Sequence, residues 1–335
     1  MPAEPSTKAT AWAIFDRIVA DAAPGGVHTN PWVRVGGELS FVPDFRVLRK
    51  LLGVPLYLDA PSTTGVPALA LDVWLAYELR RAGFDPDAVW PRATDPRIMP
   101  SAISSLLEAL PQKERHLIEQ RLKRSMKGVA ASSASVLGKH YMKQVDVVMS
   151  DWDTGPELLI STKRMDSSFG KNAANRVEES YGDAKNLRLR HPLSALGFVY
   201  GLRSTILSTE PDKAEWLIDL LGKLGTEDDA YHAVALVMID YDSEVTEAAD
   251  EEVDSIEKAE PDALFEIVDV ATAAVDEALA ALPDIAIRHD TVPPELQPSR
   301  FLATMVNRVI DTTPVTRHRE ARRRRNTPSE PERRA

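Results

Sequence analysis

Cysteine is absent from all 335 residues of the chain. This absence excludes disulfides, thiolate zinc sites and a cysteine nucleophile, and it fits a reducing compartment. The sequence also lacks any apolar run of about eighteen residues, so it predicts no membrane-spanning helix. Its first residues lack the basic segment and apolar core of a secretory signal. We therefore expect a cytoplasmic protein without a membrane partner.

Several motifs that carry common chemistries are missing as well. Neither GxxxxGK[ST] nor GxGxxG occurs, so the sequence predicts no nucleotide cofactor. There is no G-x-S-x-G element of the kind that presents a hydrolase serine. His140 and His191 are isolated, without the spacing of a zinc site. These absences argue against nucleotide hydrolysis, dinucleotide chemistry, serine hydrolysis on a nucleophile elbow, and zinc catalysis.

The net charge of −11 is distributed unevenly along the chain. Residues 210–284 hold 23 acids and 3 bases, whereas residues 113–207 hold 16 bases and 10 acids. The middle of the chain thus has the positive balance that a nucleic-acid partner requires. Within the acidic block, residues 242–262 suggest a mobile loop or a solvated helix. An interaction protein acting through this block, without nucleic acid, remains one alternative hypothesis.

Hydrophobic periodicity and turn residues predict a mainly helical start to the chain. Short strands are expected at Trp32–Val35 and Leu56–Leu58, and an ordered linker over residues 84–100. A small-residue helix is expected over residues 128–143, and the tail from residue 314 is expected to be disordered. The remaining predicted helices are Thr10–Ala22, Pro67–Ala82, Ser101–Leu110, Gln112–Met126, Lys213–Leu224, Ala263–Leu282 and Phe301–Ile310.

The stretch from His140 to Leu207 has the most informative pattern. Gln144–Met149 and Glu157–Lys163 are rich in β-branched and apolar residues, which predicts two strands joined by a turn at Gly155 and Pro156. Alternation along the first strand places Val145 and Val147 on one face and Asp146 on the other. Along the second strand, Ser161 and Lys163 share a face.

Two further elements complete this stretch. Asn172–Leu187 is helical in pattern and carries Glu178, Glu179 and Asp183, of which the last two share a face. Beyond it, Leu193–Leu207 fits a buried strand or helix, and Tyr231–Asp240 a fully buried strand. Strands that alternate with helices in this way predict an α/β core.

An aspartate on one strand and a lysine near the end of the next resemble the PD-(D/E)xK nuclease superfamily, which includes most restriction endonucleases. That family places Asp on one strand and (D/E)-x-K on the following strand, and a helix completes the site. Asp146 and Lys163 match the aspartate and the lysine. Ser161 departs from the pattern, because the family has Glu or Asp there. Some restriction enzymes with S-x-K take the second carboxylate from the next helix, here Glu178 or Glu179.

The resemblance implies a Mg²⁺-dependent DNA endonuclease of restriction type that acts on double-stranded DNA as a homodimer. Mg²⁺ prefers oxygen ligands and needs only one or two carboxylates. The ligands would be Asp146, Glu178 or Glu179, and the carbonyl of Thr162. Lys163 would orient the attacking water, and Ser161 could hold a metal-bound water. The alternative is a catalytically silent DNA-binding or scaffold subunit with the same fold, which the serine at position 161 keeps open.

The expected architecture is α/β, with a restriction-endonuclease-like core built on a central mixed sheet flanked by helices. This core would span residues 101–245. Residues 1–100 would form an N-terminal region for recognition or dimerisation, residues 246–313 an acidic loop and C-terminal helices, and residues 314–335 the basic tail. Glu119 could be an extra acid on an early helix, although a surface pair with Lys123 is the simpler interpretation.

Overall fold

A six-stranded mixed sheet forms the centre of the molecule, in a computed structural model that describes residues 5–122, 134–167, 169–242 and 270–329. Two further pairs of strands lie outside this sheet. The strands in chain order are β1 (Trp32–Val35), β2 (Glu38–Phe41), β3 (Val89–Trp90), β4 (Ala134–Leu137), β5 (Met142–Val145), β6 (Val147–Asp151), β7 (Gly155–Met165), β8 (Ala195–Arg203), β9 (Ala233–Asp240) and β10 (Ala286–Ile287).

Helices lie on both faces of this sheet. In chain order they are α1 (Thr7–Ala22), α2 (Phe45–Tyr57), α3 (Val66–Arg81), α4 (Ser101–Ala109), α5 (Gln112–Leu122), α6 (Phe169–Arg188), α7 (Ile206–Thr209), α8 (Pro211–Leu224), α9 (Thr272–Ala280), α10 (Pro298–Thr312) and α11 (Arg319–Asn326). The α/β class and the mixed sheet flanked by helices are therefore confirmed.

The sheet has the strand order β10-β9-β8-β7-β6-β3. β7, β8 and β9 are mutually parallel, while β3, β6 and β10 pair antiparallel with their neighbours. β8 and β9 are nearly continuous apolar runs, as expected for parallel strands covered on both faces. Helix α6, which carries the candidate acids, connects β7 to β8 and crosses one face of the sheet.

The two faces of the sheet belong to two separate apolar clusters. Ile160, Val199 and Val237 point to the first face, where they pack with α1, α2, α3 and α10. Leu159 and Phe198 point to the second face, which α6 and α8 cover. Alternate residues of the central strands thus enter different cores, as the period of two requires.

The strand predicted over Gln144–Met149 is in fact two strands that separate at Asp146. β5 pairs with β4, whereas β6 pairs with β7 and β3. The expectation that Val145 and Val147 share a face is therefore wrong, because Val145 lies in the second-face cluster and Val147 in the first-face cluster. The change of pairing partner breaks the alternation at Asp146.

Three other local predictions are corrected. The strand expected at Leu56–Leu58 is the end of α2, which continues through Pro55. The helix expected over residues 128–143 is the hairpin of β4 and β5 from residue 134 onward, and residues 123–133 lie outside the described part. The linker at 84–100 contains β3, an edge strand of the sheet.

The tail expected to be disordered contains the helix α11 within its described residues, 314–329. Arg322 donates from Nη2 to the carbonyl oxygens of Ile310 at 2.6 Å and Thr313 at 2.9 Å. Arg324 donates from Nη1 to the carbonyl oxygen of Arg81 at 2.7 Å. Alternate arginines therefore bind main-chain carbonyls of the protein itself instead of solvent.

The other helix predictions agree with the structure in type and, to within a few residues, in position, over the residues described. The last four residues of the helix expected at Gln112–Met126 lie outside that part of the chain. The acidic segment after Asp242 and the first part of the helix expected at Ala263–Leu282 lie outside the described residues, and α9 accounts for the second part. In the described ranges, no helix combines the length and the apolar character needed to span a bilayer.

Candidate functional site

Asp146 lies where β5 ends and β6 begins, and it is half-buried there. The main-chain N–H of Thr162 on β7 donates a hydrogen bond of 2.7 Å to Asp146 Oδ2. The chain changes its strand-pairing partner at this residue. Asp146 therefore lies between the β4–β5 and β6–β7 hydrogen-bond ladders and interrupts neither. The break gives the carboxylate a fixed position beside β7.

Lys163 and Ser161 point to the second face of the sheet, beneath α6. Lys163 Nζ lies 3.8 Å from Glu179 Oε2. The buried Tyr231 hydroxyl, close to Ser161, donates to the Ser180 carbonyl oxygen at 2.8 Å. Tyr231 therefore helps to hold α6 against the sheet, beside the serine.

The two candidate acids of α6 differ in their surroundings. Glu179 is partly buried and faces Lys163, whereas Glu178 is exposed to solvent. The Lys163 ammonium is also close enough to lower the pKa of Asp146. The structure thus brings Asp146, Lys163 and Glu179 together, and it leaves Glu178 outside this group.

Two more charged residues, Lys143 and Asp183, belong to the site, although the sequence pattern did not assign them to it. Lys143 on β5 lies with Nζ 2.6 Å from Asp183 Oδ2 and 3.2 Å from Glu179 Oε1. Asp183 is buried and also accepts a hydrogen bond of 3.1 Å from the Tyr141 hydroxyl. The four-residue spacing of Glu179 and Asp183 indicated a shared face, but nothing local indicated that Lys143 would reach them.

A third unanticipated residue, Asp72, comes from α3 on the other side of β7. The Thr162 hydroxyl donates a hydrogen bond of 2.6 Å to Asp72 Oδ1. Burial raises the pKa of Asp72 well above its usual range, and the nearby charge of Asp146 raises it further. Thr162 therefore connects two carboxyl groups, Asp146 through its main chain and Asp72 through its side chain.

Burial and local charge act in opposite directions on the pKa values of these groups. Burial raises the pKa of Asp146, although the Thr162 N–H, Lys163 and Lys143 lower it. Burial also raises the pKa of Glu179, but the two lysines outweigh it and leave that pKa below its usual value. Burial lowers the pKa of Lys143, whereas Asp183 and Glu179 raise it overall. Glu179 and Lys143 are thus held as charged partners.

The site contains the type of ligand that Mg²⁺ prefers. Asp146 and Glu179 supply carboxylate oxygens, and a Mg²⁺ ion in a protein keeps several waters. Within the described residues, no group of three or more Asp, Glu or His side chains is arranged to hold a metal ion. An ion at this site would therefore depend on main-chain, water or substrate oxygens as well as on these two carboxylates.

Glu119 occupies a different place. It pairs with Arg115 on its own helix, at 2.9 Å between Oε1 and Nε, and lines a cleft together with Asp87 and Arg92. Lys123, its expected partner, lies outside the described residues.

Comparison with protein-family models, with curated proteins and with solved structures finds no match to this chain.

Proposed function

We propose that the chain is a Mg²⁺-dependent endonuclease of restriction type that hydrolyses phosphodiester bonds in double-stranded DNA. The observation that carries the proposal is the meeting of Asp146, Lys163 and Glu179 across two strands and a helix. These are the group types, in the chain order, that the PD-(D/E)xK pattern requires when the second acid comes from the following helix. Restriction-type double-strand cleavage further suggests a homodimer.

Each group has a defined task in this reaction. Asp146, Glu179 and the Thr162 carbonyl would hold the Mg²⁺ ion, which when bound stabilises negative charge on the phosphate and activates water. The Thr162 N–H fixes the orientation of the Asp146 carboxylate. Lys163 positions the attacking water and offsets the charge that develops on the phosphate oxygens.

Charge distribution supports a nucleic-acid substrate. Residues 113–207 have a positive balance although the whole chain is at −11. Phosphate contacts by lysine and arginine release counterions from DNA, so such a segment favours binding to a duplex. At the site itself, Lys143 and Lys163 are paired with the acids of α6, so the positive balance comes from the rest of this segment.

Plasmid cleavage in the presence of Mg²⁺ tests the proposal. Asp146→Asn, Lys163→Met and Glu179→Gln are each expected to lower the cleavage rate by on the order of 10²-fold or more, because each removes a ligand or a transition-state contact. Glu178→Gln is the matched control. It changes the same residue type one position away, at an exposed place, and should leave the rate within about twofold.

Thermal unfolding of each variant should show that the fold is retained. Equal rates for wild type and the three site variants would contradict the proposal. So would a loss of activity in Glu178→Gln with none in Glu179→Gln.

The second candidate function is a catalytically silent subunit that binds DNA. It is favoured by Ser161, which supplies no carboxylate, and by Glu179, which is already paired with Lys143 and Lys163. Retention of DNA by the wild type, without cleavage of varied duplexes in Mg²⁺, would support this alternative.

A further inference from the structure

Asn186, near the end of α6, makes several hydrogen bonds to the turn of the hairpin formed by β4 and β5. Asn186 Oδ1 accepts hydrogen bonds from the main-chain N–H of His140 at 2.8 Å and of Tyr141 at 3.4 Å. Asn186 Nδ2 donates to the Tyr141 carbonyl oxygen at 3.1 Å. A Cβ atom at Gly138 would overlap this amide, so the glycine permits the close approach. The turn of the hairpin is therefore fixed in position.

The same hairpin reaches the candidate site from its second strand. Tyr141 and Lys143 bind Asp183, and Lys143 also binds Glu179. Seven residues separate Glu179 from Asn186 on α6, which corresponds to about 10 Å along the helix axis. The turn thus lies at a short, fixed distance from the site.

The outer surface of the hairpin has a distinct chemistry. Residues 134–145 include two lysines and no acid. The ammonium of Lys143 is taken up by the two acids of α6, whereas Lys139 and His140 are exposed at the turn. None of the ion pairs found within the described residues involves Lys139. A rigid turn therefore presents a free cation beside a site that would act on a phosphodiester.

We propose that the turn of the β4–β5 hairpin contacts the DNA backbone and that Lys139 binds a phosphate there. This inference rests on the proposed function for the choice of partner. A distance of about 10 Å corresponds to roughly three base-pair steps of 3.4 Å along the axis of a DNA duplex. The phosphate at Lys139 would thus lie a few nucleotides from the one that is cleaved. Because phosphate contacts do not read bases, Lys139 contributes affinity and register, not sequence choice.

Fluorescence anisotropy with a labelled duplex of mixed sequence tests this contact. EDTA in the buffer keeps cleavage from interfering. Lys139→Ala should weaken binding by about three- to tenfold at low salt and reduce the slope of log K against log [salt] by about one. Lys139→Arg should remain close to wild type in both quantities, since it retains the cation.

Arg300→Ala is the matched control. Arg300 is an exposed cation on α10, and its replacement should leave affinity and salt slope unchanged. Wild-type affinity and slope in Lys139→Ala would overturn the inference. An equal loss in Arg300→Ala would also overturn it, because binding would then follow total charge.

The plasmid assay separates this inference from the proposed function. A wild type that cleaves DNA while Lys139→Ala binds normally would overturn the hairpin contact alone. A wild type that binds through Lys139 but never cleaves would overturn the nuclease proposal and support the contact. A wild type that does not bind the duplex would overturn both.

Discussion

Glu178 and Glu179 show what a single position on a helix decides. Successive residues of an α-helix point about 100° apart, so only one of two neighbouring glutamates can face the sheet. The sequence pattern left both candidates open, because it did not predict which side of the helix would face the sheet. In the structure, Lys163 lies within ion-pair distance of Glu179, whereas the Glu178 side chain is exposed to solvent.

Lys143 could not have been assigned to the site from local pattern. It lies 36 residues before Glu179 in the chain, and the contact depends on how β5 leaves the main sheet at Asp146. That departure depends on tertiary contacts. The single strand that the sequence predicts divides into β5, which pairs with β4, and β6, which pairs with β7. Short-range rules, in contrast, correctly placed Ser161 and Lys163 on one face and Glu179 with Asp183 on another.

A buried glutamate away from the site provides a test at the residue scale. Glu78 is fully buried and accepts hydrogen bonds from the Asp44 N–H at 2.6 Å and from Arg81 Nη1 at 2.7 Å. Burial raises the pKa of Glu78 from 4.5 to about 7, although Arg81 and the Asp44 N–H lower it. The folded protein therefore holds this proton more tightly than the unfolded chain does.

The sign of the pH effect follows from that difference. Between pH 4.5 and about 7, the folded state binds more protons at Glu78 than the unfolded state. The free energy of unfolding should consequently fall as pH rises through this window, by on the order of 3 kcal/mol from this group. Glu78→Gln cannot ionise and should make the fall smaller, as measured by urea unfolding at several pH values. Exposed Glu38→Gln is the control, and a pH dependence in Glu78→Gln equal to that of wild type would contradict the prediction.

At the scale of elements, helices were easier to predict than strands. The helix that became α3 shows a long apolar pattern with proline at its start, and such signals are contained within one segment. β3 has only two residues and forms by pairing with β6, so no pattern within its own sequence predicts it. The composition of α11 is typical of a disordered tail, yet its arginines find carbonyl partners on distant segments.

The docking of α11 depends on a close approach at Gly83. This glycine has φ of +98°, and a Cβ atom there would lie 2.9 Å from the Ala321 nitrogen and 3.0 Å from its Cα. Gly83→Ala should therefore lower the free energy of unfolding by about 2–3 kcal/mol, from backbone strain and from displacement of α11.

Gly222→Ala is the comparison for this change. Gly222 lies within α8, and a Cβ atom there would meet no atom within 4 Å. Alanine at that position should raise stability by about 0.5–1 kcal/mol, because it lowers the conformational entropy of the unfolded chain. Denaturant unfolding of both variants measures the two effects. A Gly83→Ala protein as stable as wild type would show that α11 does not dock as described.

At the scale of the whole molecule, the described helices that cover the first face of the sheet lie outside residues 101–245. Ile160, Val199 and Val237 are buried there by α1, α2, α3 and α10, which lie on either side of that range in the chain. The N-terminal region also provides β3 to the sheet and Asp72 to Thr162. The core that the sequence suggested at residues 101–245 thus shares its packing with both ends of the chain.

This sharing predicts how the chain unfolds. A fragment of residues 101–245 would expose the apolar first face of the sheet and would lose both edge strands, β3 and β10, so we expect it to aggregate or to lack a cooperative transition. The full chain should instead unfold in one transition that is the same by circular dichroism and by tryptophan fluorescence. The tryptophans at positions 12, 32 and 74 report on the N-terminal region, and far-ultraviolet dichroism reports on all helices and strands. If the fragment alone unfolds cooperatively, or if the two probes of the full chain give separate midpoints, the first-face helices are a separate unit and the sheet is stable without them.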